Sequence, residues 1–361
     1  MGDRVITSLH APLGIDEVDT SWLTQALAGT SDGATAIAVT KTAVGNGNIS
    51  ASVKLGVTWD RRCPAPSTFV IKVPTDADES RAAAAATRTY EVEAGFYADV
   101  ADTVGVHRPR CYASVHDPET QGYAVLLEDM SPAVAGDQLA GCSPDDAAAA
   151  IPELVALHAP RWADPTLLDV AWLGRPSEEG AMMMNALVTG VAAGFLERYG
   201  DRLDDDVIAL VERFMPRLEG YLLDRPAPWT LLHGDFRLDN LLFGGDRVAV
   251  LDWQTVSLGT ALSDVSYFIG ASLVPPERRE HERALVEDYR RRLGAEGVAL
   301  DATGCWDDYR RHSFSGLIMA IIASMLVART PRSDDMFMAM AQRHGRQALD
   351  LEAESLLGGS R

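Results

Sequence analysis

The sequence has few cysteines and fewer basic than acidic side chains. Its 4 cysteines include no Cys-x-x-Cys pair, so neither a disulfide scaffold nor a cysteine metal site is expected. Lys and Arg number 32 against 52 Asp and Glu, which gives a formal net charge of -20 at pH 7. Because binding to nucleic acid or to anionic lipid depends on basic side chains, we expect neither partner.

The sequence also has no long apolar run, and we expect no secretory signal. The longest apolar stretch, Gly316–Ala328, is too short to span a bilayer and is predicted to be a buried helix. The segment Met1–Thr7 has neither the basic nor the apolar region of a secretory signal. We therefore expect a cytoplasmic protein.

The composition is typical of a globular protein, and the sequence pattern changes from mostly strand-like to mostly helical near residue 130. Before this point, runs rich in Val, Ile and Thr predict strands at 36–44, 51–59, 68–73, 106–116 and 123–130. One helix is predicted over 78–100 from its apolar spacing. Ser143 is a predicted N-cap, and later helices are predicted at 178–199, 204–223, 277–293, 304–328 and 333–356. The pattern predicts a small β-rich unit over 1–130 and a larger helical unit over 131–361.

One strand-like interruption in the helical half, from Thr230 to Leu251, carries the most informative residues. Two short apolar runs joined by Gly244-Gly245-Asp246 predict a β-hairpin. Asp235 and Asn240 precede the hairpin and Asp252 follows it, so we expect the three side chains to converge at its mouth. A carboxylate and an amide suit Mg²⁺, and a second carboxylate can orient a hydroxyl and accept its proton.

The motif His233-Gly-Asp-x-x-x-x-Asn240, followed by Leu-Asp252-Trp, resembles that of the aminoglycoside phosphotransferase, choline kinase and ecdysteroid-kinase-like superfamily. The resemblance implies an α+β, bilobal, protein-kinase-like fold, with a small β-rich lobe that has one main helix and a larger helical lobe. It implies that Asp235 is the catalytic base and that Asn240 and Asp252 bind Mg²⁺. Gly234 replaces the arginine typical of protein kinases, which disfavours that class.

The resemblance also assigns ATP binding to residues 1–130. Gly45, Gly47 and Ser50 belong to a glycine-rich stretch between two predicted strands, where backbone amides could cap phosphates, although a plain hairpin turn uses the same residue types. Lys72 lies within an apolar strand and needs a partner or an exposed face. In the superfamily such a lysine contacts the α- and β-phosphates.

The resemblance implies that a helix glutamate holds Lys72, and Glu91 and Glu93 both qualify. They are two residues apart, about 200° around a helix, so they cannot share one face. The stretch from Glu93 to Tyr97 resembles the superfamily's Glu-x-x-Phe-Tyr, so we predict an ion pair between Lys72 and Glu93.

The strand that ends at Met130 resembles the superfamily's hinge. Glu128, Asp129 and Met130 are accordingly expected to pair with the adenine edge through their main chain. His158 is expected to be a packing residue, and Asp264 is expected to support the catalytic loop by accepting backbone hydrogen bonds.

These features predict an enzyme that transfers the γ-phosphate of Mg·ATP to a hydroxyl of a small molecule, and a catalytically silent pseudokinase is the alternative. The acceptor region is expected within 160–230 and 260–350. Acidic clusters there would suit a cationic sugar or amine, whereas apolar, methionine-rich helices would suit a fairly apolar hydroxylated compound. The use of ATP or GTP and the oligomeric state stay open.

Overall fold

The computed structural model describes residues 9–44, 49–327 and 329–358. They form two compact units. The first contains the described residues up to Thr103, with Arg108–Pro132 and Leu251–Val256, and the second contains Val104–His107, Ala133–Val250 and the described residues from Ser257 onward. Strands dominate the first unit and helices the second, which confirms the predicted α+β class.

The strands are β1 (Ala36–Ala43), β2 (Ser50–Trp59), β3 (Thr68–Pro74), β4 (Cys111–Asp117), β5 (Gly122–Glu128), β6 (Val134–Ala135), β7 (Thr230–Leu232), β8 (Leu241–Phe243), β9 (Ala249–Val250) and β10 (Ser257–Gly259). The helices are α1 (Thr20–Ala26), α2 (Asp78–Thr87), α3 (Thr89–Gly95), α4 (Pro144–His158), α5 (Glu178–Tyr199), α6 (Asp205–Phe214), α7 (Leu218–Leu223), α8 (Leu262–Ser272), α9 (Pro275–Ala295), α10 (Ala302–Arg311), α11 (Ser313–Leu326) and α12 (Pro331–Asp350).

The first unit is built on an antiparallel sheet in the order β1-β2-β3-β5-β4. Its register places Lys72 of β3 beside Ser52 of β2 and Val125 of β5. Side chains alternate between the faces of a strand, so Ile71 and Val73 point away from the Lys72 face. Ile71 and Val73 are buried in a core that includes Trp22 of α1.

The predicted helix over 78–100 is broken rather than continuous. Arg88 has φ 56°, in the left-handed region, and this turn ends α2 and begins α3 on a new axis. Beyond α3, the chain continues through a wider helical turn over Phe96–Val100. The helix predicted over 204–223 is also divided, because Pro216 follows the end of α6 and has no N–H to donate.

The predicted strand over 106–116 begins only at Cys111. The segment Val104–His107 belongs to the second unit instead. Gly105 N–H donates to the carbonyl of Ala156, and His107 accepts from the N–H of Val250. The bond at His107 uses main chain that the strand would have needed, and the bond at Gly105 ties the preceding residue to α4.

The second unit packs α5, α6, α8, α11 and α12 around one apolar core. The apolar stretch from Gly316 forms most of α11, as predicted, and is buried or half-buried up to Met325, whereas Leu326 is exposed. The predicted hairpin is also present, since β8 and β9 pair Leu241 with Val250. By length and composition, the helical stretch Glu178–Arg202 could cross a membrane, which is weak evidence on its own.

His344 of α12 fills a slot between two glycines on neighbouring helices. A Cβ atom on Gly270 of α8 or on Gly316 of α11 would overlap its ring. The ring is fully buried. Burial lowers the pKa of His344 to about 4, so the side chain is neutral at pH 7.

We predict that Gly316→Ala lowers the melting temperature, because overpacking of a core costs about 1–3 kcal/mol. Gly190→Ala on α5 is the matched control, since nothing lies within 4 Å of the added Cβ. It should raise the melting temperature slightly, because alanine is favoured over glycine in helices by about 1 kcal/mol. Equal melting temperatures for the two variants would contradict the close packing of His344 on Gly316.

Candidate active site

The first group of functional side chains surrounds Lys72. Its Nζ donates to Glu93 Oε1 at 2.7 Å and to Asp252 Oδ1 at 2.8 Å, so the predicted ion pair with Glu93 is confirmed. Burial alone would lower the pKa of Lys72, but the charges of Asp252 and Glu93 outweigh it and raise the pKa. Lys72 is therefore a fixed, buried cation held by two carboxylates.

Glu91 faces elsewhere, as the helical spacing predicts. Its carboxylate accepts from Nε and Nη2 of Arg88, at 2.7 and 2.9 Å, and is part-exposed. The same Arg88 adopts the left-handed turn at the start of α3. Glu91 therefore forms a surface ion pair, and Glu93 forms a buried one.

Glu93 has three further donors besides Lys72. Its Oε2 accepts from the Tyr123 hydroxyl at 2.5 Å and from Gln254 Nε2 at 3.2 Å, and its Oε1 accepts from the N–H of Trp253 at 3.4 Å. Burial, with the charge of Glu93, raises the pKa of Tyr123 well above its usual value, so the phenol stays a donor. Phe96 stacks on Trp253 with ring centroids 4.0 Å apart.

Asp252 adopts an uncommon backbone conformation for a residue other than glycine. Its φ is 66°, in the left-handed region that Asp tolerates better than most side chains. The carboxylate that faces Lys72 is 37% exposed. Asp252 therefore holds Lys72 while part of its side chain stays accessible to solvent.

The predicted glycine-rich stretch is described only at its end. Gly45 and Gly47 lie outside the described residues. Ser50 begins β2, and its Oγ accepts from Gln254 Nε2 at 3.0 Å. Gln254 thereby links Ser50 to Glu93, and the role of Ser50 at a phosphate stays a prediction.

The predicted hinge residues follow β5. The N–H of Glu128 donates to the carbonyl of Arg110 at 2.8 Å, so this amide serves the sheet. Asp129 pairs with Lys54 at 2.7 Å and accepts from the Ser131 hydroxyl. Burial opposes ionisation of Asp129, but these bonds lower its pKa to about 2. Contacts of Glu128, Asp129 and the half-buried Met130 with a base stay predictions.

The second group of functional side chains surrounds Asp235, in the second unit. Asp235 Oδ1 accepts from the Tyr267 hydroxyl at 2.7 Å. Oδ2 accepts from Arg237 Nε and from Asn240 Nδ2, both at 2.9 Å. Asn240 Nδ2 also donates to the Asp235 carbonyl at 2.9 Å, so the amide oxygen of Asn240 is left for another ligand.

Asp264 of α8 holds the backbone of this loop. Its Oδ2 accepts from the N–H of His233 at 2.7 Å, and its Oδ1 accepts from the N–H of Gly234 at 3.0 Å. The predicted supporting role of Asp264 is confirmed. His158 is fully buried behind it, with Nε2 3.4 Å from Asp264 Oδ2 and Nδ1 2.9 Å from the Tyr289 hydroxyl, as a packing residue would be.

The structure brings together some of the predicted residues and adds others. Lys72, Glu93 and Asp252 meet in the first unit, and Asp235 meets Asn240 in the second. Sequence reasoning missed Tyr123 and Tyr267, whose spacing resembles that of ordinary core residues. Arg237 was visible, two positions after Asp235, but no pattern assigned it a function.

Comparison with known proteins adds a family. Residues 44–304 match the family model described as APH, phosphotransferase enzyme family. Among curated proteins, a segment of 56 residues is 46% identical to acyl-CoA dehydrogenase family member 10 of Mus musculus. The match spans 15% of this chain and only 5% of that relative's length.

Solved structures with similar folds are distant in sequence. Choline kinase from Cryptosporidium parvum Iowa II superposes with a TM-score of 0.57 at 8% identity, covering 88% of this chain and 91% of that one. The complex of gentamicin with APH(2″)-IIa gives a TM-score of 0.51 at 15% identity, covering 94% and 97%. At such identities the likeness establishes the fold alone, in agreement with the predicted protein-kinase-like architecture.

We predict that Lys72→Met destabilises the protein by about 3–5 kcal/mol, the usual cost of leaving a buried charge without its partner. The double variant Lys72→Met/Glu93→Gln should recover part of this loss, because no buried carboxylate then lacks a cation. Lys54→Met is the control, because Lys54 is more exposed than Lys72 and the loss of its ion pair with Asp129 should therefore cost less stability. Denaturation curves that rank Lys54→Met as the more harmful change would contradict this.

Proposed function

The chain belongs to the phosphotransferase enzyme family, and on that basis we propose that this small-molecule kinase transfers the γ-phosphate of Mg·ATP to a hydroxyl of its acceptor. The observation that carries the proposal is the buried Lys72 ammonium, fixed by both Glu93 and Asp252. Phosphoryl transfer needs positioned positive charge at the nucleotide phosphates more than covalent chemistry from the protein. We assign Lys72 to the α- and β-phosphates.

Asp252 and Asn240 are the proposed Mg²⁺ ligands, and the chemistry of both side chains fits that cation. Mg²⁺ prefers hard oxygen donors and completes its shell with water and phosphate oxygens. Asn240 commits its amide nitrogen to Asp235, which leaves the amide oxygen as the donor. When bound, Mg²⁺ supplies neutralising charge for the phosphoryl group.

Asp235 is the proposed base. Its carboxylate would accept the hydrogen bond of the acceptor hydroxyl, orient that oxygen toward the γ-phosphate and take up its proton. The three donors around Asp235 fix the direction of the carboxylate before the acceptor arrives. Such preorganisation reduces the reorganisation required during the reaction.

For the acceptor we favour a fairly apolar hydroxylated compound over a cationic sugar. The acidic residues that could attract a cation are largely neutralised by arginine. Asp204 and Asp206 pair with Arg346, Asp334 with Arg329, and Asp335 with Arg202. In contrast, α5 exposes uncharged apolar side chains, namely Met182, Met183 and Leu187.

The alternative, a catalytically silent nucleotide-binding protein, is not favoured. The chain retains the lysine, the base and both proposed metal ligands, and nucleotide binding alone has no need for Asp235. A screen for Mg²⁺- and acceptor-dependent ADP release, over hydroxylated metabolites graded from apolar to cationic, decides between them. Nucleotide binding without ADP release for any acceptor would support the silent alternative, and a preference for cationic acceptors would overturn the apolar assignment.

Replacing the proposed base tests the reaction directly. We expect Asp235→Asn to lower kcat by about 100-fold or more, the usual scale for a positioned acid or base, with nucleotide affinity within a few-fold. Asp246→Asn, in the exposed hairpin turn, is the control and should keep full turnover. Steady-state kinetics with equal turnover for Asp235→Asn and the parent would remove Asp235 from the mechanism.

The metal assignment is tested by ligand-induced stabilisation. A ligand that binds only the folded state raises the melting temperature, so Mg·ATP should stabilise the parent more than ATP alone. We expect Asp252→Ala to lose the Mg²⁺-dependent part of this shift, while Asp246→Ala keeps it. A full Mg²⁺-dependent shift in Asp252→Ala would show that Asp252 is not a ligand.

A further inference from the structure

Tyr267 of α8 is a buried phenol that contacts the proposed base. We propose that Tyr267 is a positioning residue for phosphoryl transfer: its hydroxyl fixes Asp235 so that one acceptor position, on Oδ1, is left for a single substrate hydroxyl. The inference rests on the proposed function of Asp235.

Counting hydrogen bonds around the carboxylate gives the remaining position. An ionised carboxylate offers about four acceptor sites, two on each oxygen. Arg237 and Asn240 fill both sites on Oδ2, and Tyr267 fills one on Oδ1. Among the described residues no further donor fills the fourth site, which lies on Oδ1, beside the phenol oxygen. A substrate hydroxyl that donates there is directed by Tyr267 as well as by Asp235.

The helix that carries Tyr267 also fixes the loop that carries Asp235. Asp264 lies three residues earlier on α8, on the same face, and accepts the amides of His233 and Gly234. Three consecutive loop residues, 233 to 235, are therefore held by side chains one helical turn apart. The phenol and the carboxylate it contacts share one rigid support.

The ring of Tyr267 is held from behind. His344 stacks on it, with centroids 5.5 Å apart and an interplanar angle of 26°. His344 itself is enclosed by Gly270 and Gly316, where even one added carbon would overlap its ring. The imidazole is neutral at pH 7, so it adds no charge behind the phenol. These contacts restrict the tilt of Tyr267 and hence the position of its oxygen.

The phenol remains a hydrogen-bond donor throughout the working pH range. Burial and the charge of Asp235 both raise the pKa of Tyr267 well above its usual value. Its proton therefore stays on oxygen and points at Oδ1. Without this donor the carboxylate is still held through Oδ2 by Arg237 and Asn240, but the position of Oδ1 is less restricted.

Tyr267→Phe tests the proposal by separating kcat from KM. Misplacing a reacting group by about 1 Å can cost up to about 100-fold in rate, so we expect kcat to fall roughly 10- to 100-fold. The KM values for nucleotide and acceptor should stay within about threefold. Tyr199→Phe is the matched control, because this buried phenol in the same unit donates to the carboxylate of Asp334 rather than to Asp235. It should lower the melting temperature and leave kcat unchanged.

A double variant distinguishes positioning from a general structural role. If Tyr267 acts through Asp235, adding Tyr267→Phe to Asp235→Asn should cost little further activity. A full multiplicative loss would overturn the proposal, as would an unchanged kcat in Tyr267→Phe. If Asp235→Asn alone keeps full turnover, the assignment of the base fails instead, so the two failures are distinguishable.

Isosteric replacements cover the case in which Tyr267→Phe does not fold. Tyr267→4-fluorophenylalanine keeps nearly the full volume without a donor and should show the same loss of kcat. Tyr267→4-aminophenylalanine supplies an N–H donor at the same position, and its kcat should be at least tenfold higher than that of the 4-fluorophenylalanine variant. Equal kcat for these two variants would show that the donor is irrelevant and would overturn the proposal.

Discussion

The carboxylate of Glu93 is the group on which the first unit depends. Taking a carboxylate out of water costs several kcal/mol unless donors replace the lost hydration. Here the donors are Lys72, the Tyr123 phenol, the Gln254 amide and the N–H of Trp253. They come from β3, from β5 and from the segment after the hairpin. That segment is therefore packed in the first unit, and Asp252 comes to lie beside Lys72 as a consequence.

The second unit uses a buried acid in a similar way. Asp264 accepts two consecutive amides of the loop and is almost fully buried, whereas Asp235, the residue it helps to position, is part-exposed. The same contrast holds between Glu93 and Asp252. In each unit a buried carboxylate organises the backbone or the cation, and the carboxylate that we propose meets a ligand is the more accessible one. The acids that would react are thus not those that stabilise the fold.

Sequence patterns predicted the features that depend on residues close together in the chain. Adjacent apolar runs around Gly244-Gly245-Asp246 were sufficient for the hairpin, whereas the ion pair of Lys72 with a helix glutamate was expected from the resemblance to the superfamily. The break at Arg88 was missed because no glycine or proline interrupts 78–94. Tyr267 lies 32 residues from Asp235, and only the tertiary fold places its hydroxyl there.

The break at Arg88 also makes α2 and α3 independent of one another. Only Ala84 of α2 is buried, whereas most of α3 is buried and carries Glu93. Helix unwinding spreads along a continuous ladder of backbone hydrogen bonds, and the left-handed residue interrupts that ladder. We therefore expect local unfolding of α2 to stop at Arg88 and to leave the ion pair that holds Lys72 in place.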